Sequence, residues 1–338
     1  MNPKSSFFLV WMAMKHKISV FEERIEEAVK GVLKGYEPRT LFIPAEYVLS
    51  IGGKRLRPLL TLMAADLFGK ESDEVMDAAL AVEIFHNFSL VHDDLMDNAD
   101  LRRGYPTLHK RWSENSAILS GDALLIEAYR YIAKVPADLL PDILALFTTT
   151  AMHICEGQQY DMDFEQRLDV TEEEYLKMIR LKTAVLIGAA LKIGALIARA
   201  PVEDADLLYQ FGIHLGLAFQ LKDDLLDVYG NPETFGKKIG GDILCNKKTF
   251  LLIRSLKNAG HAEREALQRW LTATEYDPDE KIGFVKKIYD QLNLKFVVEN
   301  LIEKYYLASL DFLSLVNIPD HQKRDLINLS ENLMYREK

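Results

Sequence analysis

The segment from Ala184 to Ala198 is apolar on nearly every side when it is drawn as a helix. A helix at a protein surface keeps a polar face, whereas a helix that is apolar all round has to lie among other helices. Residues 81–97, 117–134 and 206–230 also carry apolar side chains at helical spacing, and no run alternates convincingly as a half-buried strand would. The sequence therefore predicts an all-α fold, a single large bundle of roughly a dozen helices.

The composition is that of a globular protein and limits the class of partner. The chain has 338 residues, of which 49% are hydrophobic and 27% charged, and its formal net charge is -10. This charge argues against nucleic acid as a partner, because nucleic-acid binding needs basic patches. The two cysteines, Cys155 and Cys245, lie far apart in the sequence, which favours a reduced, cytoplasmic protein.

The N-terminus contains a short apolar run from Phe7 to Met14. No small-x-small cleavage site follows it, and it is too short to cross a bilayer. No other window approaches a transmembrane span. We therefore expect residues 1–20 to be an N-terminal extension, residues 21–338 to form one domain, and the chain to have no transmembrane segment.

Two clusters of aspartates share one spacing, D-D-x-x-D, and each ends a long apolar helix. They are Asp93, Asp94 and Asp97, and Asp223, Asp224 and Asp227. One such cluster could be a solvated helix end. Two copies are harder to explain in that way, because carboxylates at a helix C-terminus are disfavoured by the helix dipole. The pattern predicts that positive charge compensates both clusters.

Magnesium is the predicted source of that charge. Mg²⁺ prefers oxygen and is typically held by one or two carboxylates together with substrate phosphates. Two facing carboxylate clusters could hold several ions around one diphosphate. The eight histidines and two cysteines show no zinc-type spacing.

Basic residues accompany these clusters along the chain. Gly52 and Gly53 form a glycine turn that opens a helix, a place where backbone N–H groups bind phosphate. The candidate phosphate-binding cations are Lys54, Arg57, Arg102, Arg103, Lys182, Lys237 and Lys247. Each one alone could be a surface charge, but together they indicate phosphate binding at several places.

These motifs resemble those of the trans-isoprenyl diphosphate synthases, or polyprenyl synthetases. The resemblance runs in register from about residue 46 to about residue 252 and covers GGKRLRP, HDDLMDNADLRRG, EGQQYDM, KT, FQLKDDLLD and GGDILCNKKT. It implies a helical bundle of the isoprenoid synthase type with a central cavity. It also implies a magnesium-dependent prenyltransferase that joins isopentenyl diphosphate to an allylic diphosphate, and it implies a homodimer.

The resemblance assigns a role to each matching residue. Asp93, Asp97 and Asp223 are the implied magnesium ligands, with Asp94, Asp224 and Asp227 as supporting members. The diphosphate of isopentenyl diphosphate is assigned to Lys54, Arg57, His86 and Arg103. The allylic diphosphate is assigned to Arg102, Lys182 and Lys237, with Lys247 nearby. Thr183 and Gln220 match positions beside the reacting carbons, and residues 156–159 match a motif that lines the cavity.

Product length is predicted from the helix before the first cluster. In the family, an aromatic residue five positions before the first aspartate often closes the floor of the cavity; here that residue is Phe88. A second aromatic at the next position favours a C15 product, and this chain has the small Ser89 there. The expected product is geranylgeranyl diphosphate, with farnesyl diphosphate second. Phe88 as an ordinary core residue is the alternative.

Three other readings of the whole chain compete with this one. A terpene cyclase ionises the same substrates but would not need the GGKRLRP and arginine sites for a second diphosphate. A non-catalytic subunit would retain the fold with eroded carboxylates, whereas both clusters are intact. A generic phosphate binder does not explain the apolar helices beside the carboxylates, and no P-loop is present.

Overall fold

A computed structural model describes residues 3–231 and 239–335, with only the backbone for residues 3–16. Nearly all of the described chain outside short loops is helical, which confirms the predicted all-α class. The helices of the first part are α1 (Pro3–Gly31), α2 (Arg39–Ser50), α3 (Leu56–Asp66), α4 (Met76–Met96), α5 (Leu108–Arg111) and α6 (Glu114–Ile132), with a 3-10 turn at Ser72–Glu74.

The second part of the chain continues the same pattern. Its helices are α7 (Leu140–Glu165), α8 (Glu172–Ile179), α9 (Val185–Ile197), α10 (Val202–Tyr229), α11 (Gly241–Leu244), α12 (Phe250–Asn258), α13 (His261–Thr272), α14 (Pro278–Gln291), α15 (Leu294–Leu315) and α16 (Asp320–Tyr335). A π-helical turn, Arg180–Ala184, joins α8 to α9. Within the described residues, none of these helices has the length and apolar character needed to cross a bilayer.

One short hairpin, which the sequence did not predict, follows α4. Strands β1 (Leu101–Arg102) and β2 (Tyr105–Pro106) pair antiparallel across Arg103 and Gly104. Both turn residues have positive φ, 55° and 81°, as a type I′ hairpin turn requires. Strands of two residues are too short to show alternation in a sequence.

The chain forms two compact units. The first comprises the residues up to Thr148, then Ala189–Tyr209 and Leu315–Asn328; the second comprises Thr149–Gly188, Gln210–Ser314 and the residues from Leu329 onward. The predicted single domain and its boundary at residue 20 stay predictions, and α1 runs through that boundary without a break.

The apolar segment 184–198 is buried as predicted. From Ala184 to Ile197, only Lys192 and Leu196 are not in the buried class. Gly194 marks a close approach within the first unit, because a Cβ there would lie 3.0 Å from the carbonyl carbon of Thr61. Small residues at such points let neighbouring helices approach closely.

Candidate active site

The glycine turn of GGKRLRP lies against the hairpin. Gly52 and Gly53 have φ values of 81° and 146°, a region that residues with a Cβ rarely adopt. A Cβ on Gly53 would lie 2.6 Å from the guanidinium Nη1 of Arg103, which itself donates a hydrogen bond to the carbonyl oxygen of Gly52. The two motifs that carry Lys54 and Arg103 are therefore in direct contact in the first unit.

Arg55, which had no predicted role, is buried at the start of α3. Its guanidinium donates to Glu83 and Glu26 at 2.7 Å each and to the carbonyl oxygen of Leu49 at 2.6 Å. Arg55 also has a positive φ of 42°. A buried charge is tolerated only when it is paired and hydrogen-bonded, so this arginine holds the motif in place instead of facing solvent. Lys54 beside it is exposed.

Arg57 and His86 lie together as the resemblance implied. Arg57 Nη1 is 3.1 Å from His86 Nε2. Arginine has only donors, so Nε2 accepts and the imidazole is neutral with its proton on Nδ1. Burial and then the charge of Arg57 hold the pKa of His86 well below its usual range. We therefore expect His86 to remain a neutral imidazole when a ligand binds and to donate a hydrogen bond from Nδ1.

The first aspartate cluster divides between an inward and an outward part. Asp94 is buried and receives two hydrogen bonds from Arg102, from Nε at 2.7 Å and from Nη2 at 2.6 Å. Burial raises the pKa of Asp94, and the bonds from Arg102 oppose that rise. Asp93 is half-buried and Asp97, the C-cap of α4, is exposed. This division agrees with a supporting role for Asp94, which stays a prediction.

Phe88 and Ser89 lie on α4 upstream of this cluster. The Phe88 ring is half-buried, with its centroid 5.4 Å from that of Phe85 and 4.9 Å from that of His92. Ser89 Oγ donates to the carbonyl oxygen of His86 at 2.8 Å. A small open pocket beside Asp94 is lined by residues of α2, α4 and the hairpin, and Phe88 is not among those lining it in the described chain. The role of Phe88 in product length stays a prediction.

In the second unit, the π-helical turn presents Lys182 and Thr183. Lys182 Nζ donates to Asp161 at 2.7 Å, so Asp161 of the EGQQYDM motif is the partner that this half-buried lysine requires.

Two glycines pack against the π-helical turn. A Cβ on Gly157 would lie 2.8 Å from Lys182 Cα, and one on Gly216 would lie 2.7 Å from Ala184 Cα.

A chain of hydrogen bonds runs from Thr183 into the interior of the second unit. Thr183 Oγ1 donates to Gln220 Oε1 at 3.0 Å, and Gln220 Nε2 donates to Asp224 Oδ1 at 2.9 Å. Tyr175 Oη donates to Asp224 Oδ2 at 2.5 Å. Burial raises the pKa of Asp224 to about 8, although both hydrogen bonds act to lower it. Asp224 is thus held by protein groups, while Asp223 is half-buried.

The third aspartate of the second cluster, Asp227, holds the start of α11. Asp227 Oδ2 accepts from the backbone N–H of Asp242 at 2.9 Å, and the carbonyl oxygen of Asp227 accepts from Gly240 at 2.7 Å. Lys247 is half-buried just beyond α11, where its backbone N–H donates to the carbonyl oxygen of Asp242. The prediction for Lys237 falls outside the described residues.

The outward carboxylates fit magnesium by their chemistry. Among the described residues, no three His, Cys, Asp or Glu side chains form a complete ion site by themselves. Mg²⁺ does not need such a cage, because it commonly keeps waters and uses substrate phosphates as ligands. Asp93 and Asp97 in the first unit, and Asp223 in the second, each supply carboxylate oxygens, the ligand type that Mg²⁺ prefers.

Comparison with known proteins decides the family. Residues 38–292 match the family described as polyprenyl synthetase, and this match spans both aspartate clusters. The chain belongs to this family. It is 37% identical over 303 residues to a geranylgeranyl diphosphate synthase of Methanosarcina mazei, with 85% of this chain and 93% of that protein covered.

Solved structures agree with the sequence comparison. A crystal structure of a geranylgeranyl pyrophosphate synthase matches with a TM-score of 0.90 and 45% identity, covering 95% of this chain and 99% of that one. The polyprenyl synthase from Caulobacter crescentus, complexed with calcium and isoprenyl diphosphate, matches with a TM-score of 0.87 and 28% identity, covering 96% and 97%. The predicted family, the isoprenoid synthase bundle and the class of enzyme, a prenyltransferase, are confirmed.

The structure adds residues that the sequence analysis missed. Arg55 and Glu83 form a buried pair, Asp161 pairs with Lys182, and Tyr175 binds Asp224. Asp161 had a usable signal, since it lies in the EGQQYDM motif and a lysine in an apolar segment needs an acidic partner.

Proposed function

We propose that this enzyme condenses isopentenyl diphosphate with an allylic diphosphate, head to tail, to a short all-trans prenyl diphosphate, geranylgeranyl diphosphate. The observation that carries the proposal is the family match, which includes both aspartate clusters and every basic motif between residues 38 and 292. The similarity to a geranylgeranyl diphosphate synthase over most of both chains supports the product.

The residues of the first unit are proposed to bind isopentenyl diphosphate. Lys54, Arg57, His86 and Arg103 supply its diphosphate-binding groups. The contacts between Arg57 and His86, and between Arg103 and the glycine turn, support this assignment because they gather these groups in one place. Neutral His86 contributes a hydrogen bond and leaves the positive charge to the arginines.

The allylic diphosphate is proposed to bind the other basic residues. These are Arg102, Lys182, Lys237 and Lys247. Magnesium, when bound to Asp93, Asp97 and Asp223, supplies positive charge that stabilises the departing diphosphate. Arg102 and Lys182 add to that stabilisation with preorganised donors. The carbonyl dipole of Gln220 and the hydroxyl of Thr183 are aimed by their mutual hydrogen bond and steady the allylic cation.

The remaining steps need no protein nucleophile. The double bond of isopentenyl diphosphate attacks the allylic cation, a carbon–carbon bond forms, and the proton lost in the final step passes to the released diphosphate. The apolar helices keep water from the cation.

The cytoplasmic location and the homodimer are further proposals. Sedimentation of the purified chain tests whether it is a dimer.

The function is tested by one incubation series. Protein, Mg²⁺, isopentenyl diphosphate and each allylic primer in turn are combined, and product length is read by mass spectrometry. We expect a C20 diphosphate, and we expect chelation of Mg²⁺ to abolish its formation. A terpene cyclase would leave isopentenyl diphosphate unconsumed, and a non-catalytic subunit would yield no product with any primer; either result refutes the proposal.

Substitutions at Phe88 and Ser89 are expected to change the length of the product in opposite directions. Phe88 is five residues before Asp93, a depth of about 7.5 Å along a helix. Phe88→Ala should lengthen the product beyond C20 by removing the floor, and Ser89→Phe should shorten it toward C15. Mass spectrometry of both products is the measurement. An unchanged product from Phe88→Ala would make Phe88 an ordinary core residue.

A further inference from the structure

Tyr175 is a buried polar residue to which the reaction described above gives no role. Its side chain is only 1% exposed, and its ring packs edge-on against Phe250 with centroids 6.3 Å apart. Burying a hydroxyl is unfavourable unless it is hydrogen-bonded. The bond from Tyr175 Oη to Asp224 Oδ2 therefore fixes both groups.

Two hydrogen bonds join the same pair of helical segments. Tyr175 lies on α8 and Thr183 on the π-helical turn that continues it, whereas Gln220 and Asp224 lie four residues apart on α10. Residues at this spacing share one face of a helix. Tyr175 contacts Asp224 and Thr183 contacts Gln220, so the segments run antiparallel along this contact. Tyr175 lies at one end of this contact, and Thr183 and Gln220, which are proposed to steady the allylic cation, lie at the other.

The same chain of bonds fixes the orientation of the Gln220 amide. An amide has its donor on one side and its acceptor on the other. Gln220 Nε2 donates to Asp224 Oδ1, so Oε1 must face Thr183. Because Tyr175 occupies Asp224 Oδ2, Oδ1 is kept as the acceptor for Gln220.

We propose that Tyr175 is a positioning residue of the prenyl-transfer site, which fixes Asp224 and, through it, directs the carbonyl oxygen of Gln220 toward Thr183. The inference rests on the proposed function for the role of Gln220. It extends the site by one residue that lies outside both D-D-x-x-D clusters and the K-T pair.

Tyr175→Phe tests the proposal because it removes one oxygen and keeps the buried ring. We expect kcat to fall between about 10-fold and about 100-fold, the upper figure being the effect of a reacting group misplaced by about 1 Å. The KM for isopentenyl diphosphate should stay within about twofold. Tyr229→Phe is the matched control: it removes a tyrosine–aspartate hydrogen bond of 2.8 Å, to Asp290, at an exposed place at the end of α10. Equal losses of kcat in both variants would overturn the proposal.

A double-mutant cycle shows whether Tyr175 acts through Gln220. If it does, Tyr175→Phe combined with Gln220→Leu should be no slower than Gln220→Leu alone. Multiplied losses would mean that the two residues act independently, which contradicts the proposal.

A crystal structure of Tyr175→Phe provides a measurement that does not depend on activity. We expect Gln220 to lose its bond to Asp224 or to turn away from Thr183, and an unchanged Gln220 would overturn the inference. If the wild-type protein makes no prenyl diphosphate, the proposed function fails, and this structure still decides the positioning role.

Discussion

Asp93→Asn and Asp223→Asn should each lower kcat/KM by about 1,000-fold, which corresponds to about 4 kcal/mol of transition-state stabilisation. Asparagine keeps the size of the side chain but removes the charge that would bind Mg²⁺. Both side chains are half-buried at the ends of long helices, so the loss of charge should leave the fold intact. Steady-state kinetics over a range of Mg²⁺ concentrations is the measurement, and the variants should need more metal for half-maximal rate.

Asp100, in the same stretch as the first aspartate cluster, provides a control for the Asp93→Asn variant. Asp100 follows Asp97 in the same stretch, but its side chain is 82% exposed and pairs with Lys110 at 3.1 Å. Exposed ion pairs contribute little, so Asp100→Asn should stay within about twofold of wild type. If Asp100→Asn were as damaging as Asp93→Asn, general electrostatics and not metal binding would explain the effect.

Gly157→Ala should impair the enzyme although glycine carries no functional group. The new Cβ would collide with the backbone of Leu181 and Lys182 in the π-helical turn, and backbone cannot rotate aside as a side chain can. Overpacking of this kind typically costs about 1–3 kcal/mol. Since Lys182 and Thr183 lie on that turn, we also expect kcat to fall by about 10-fold or more, because small displacements of reacting groups are costly.

Gly283→Ala is the matched control for this substitution. Gly283 lies within α14 of the same unit, and a Cβ there would meet nothing within 4 Å. Alanine in an open helical position should stabilise the protein by about 0.4–1 kcal/mol. The melting temperature should therefore rise in Gly283→Ala and fall in Gly157→Ala, and kcat should fall only in Gly157→Ala. A Gly157→Ala enzyme with wild-type kcat would show that the turn can move without consequence.

The sequence predicted the helices and the position of each cluster because both signals are local. Apolar spacing reveals a helix over a few turns, and two D-D-x-x-D clusters can be recognised without knowing what surrounds them. For the same reason the buried segment 184–198 was predicted correctly.

The direction in which each charged side chain points could not be predicted. Arg55 and Arg57 are two residues apart, yet Arg55 is buried against Glu83 and Glu26 while Arg57 contacts His86. Their partners lie 28 or 29 residues away in the chain, so the residues adjacent to each arginine give no indication of which partner it binds. The π-helical turn escaped prediction as well, because one extra residue in a helical turn barely changes the apolar pattern.

The contact between Arg103 and the glycine turn has a consequence for how affinity is distributed. If the binding of a ligand had to order the side chains of Arg103 and Arg57, the lost conformational entropy would reduce the binding free energy by about 0.5–1.5 kcal/mol for each side chain. Here Arg103 is bound to Gly52, and Arg57 to His86, so each side chain is held by another group of the protein. That ordering takes place when the protein folds, so the first unit is preorganised for the diphosphate that we propose it binds. Its stability and its affinity then depend on the same contacts, and a substitution that loosens its core should weaken binding without touching any binding residue.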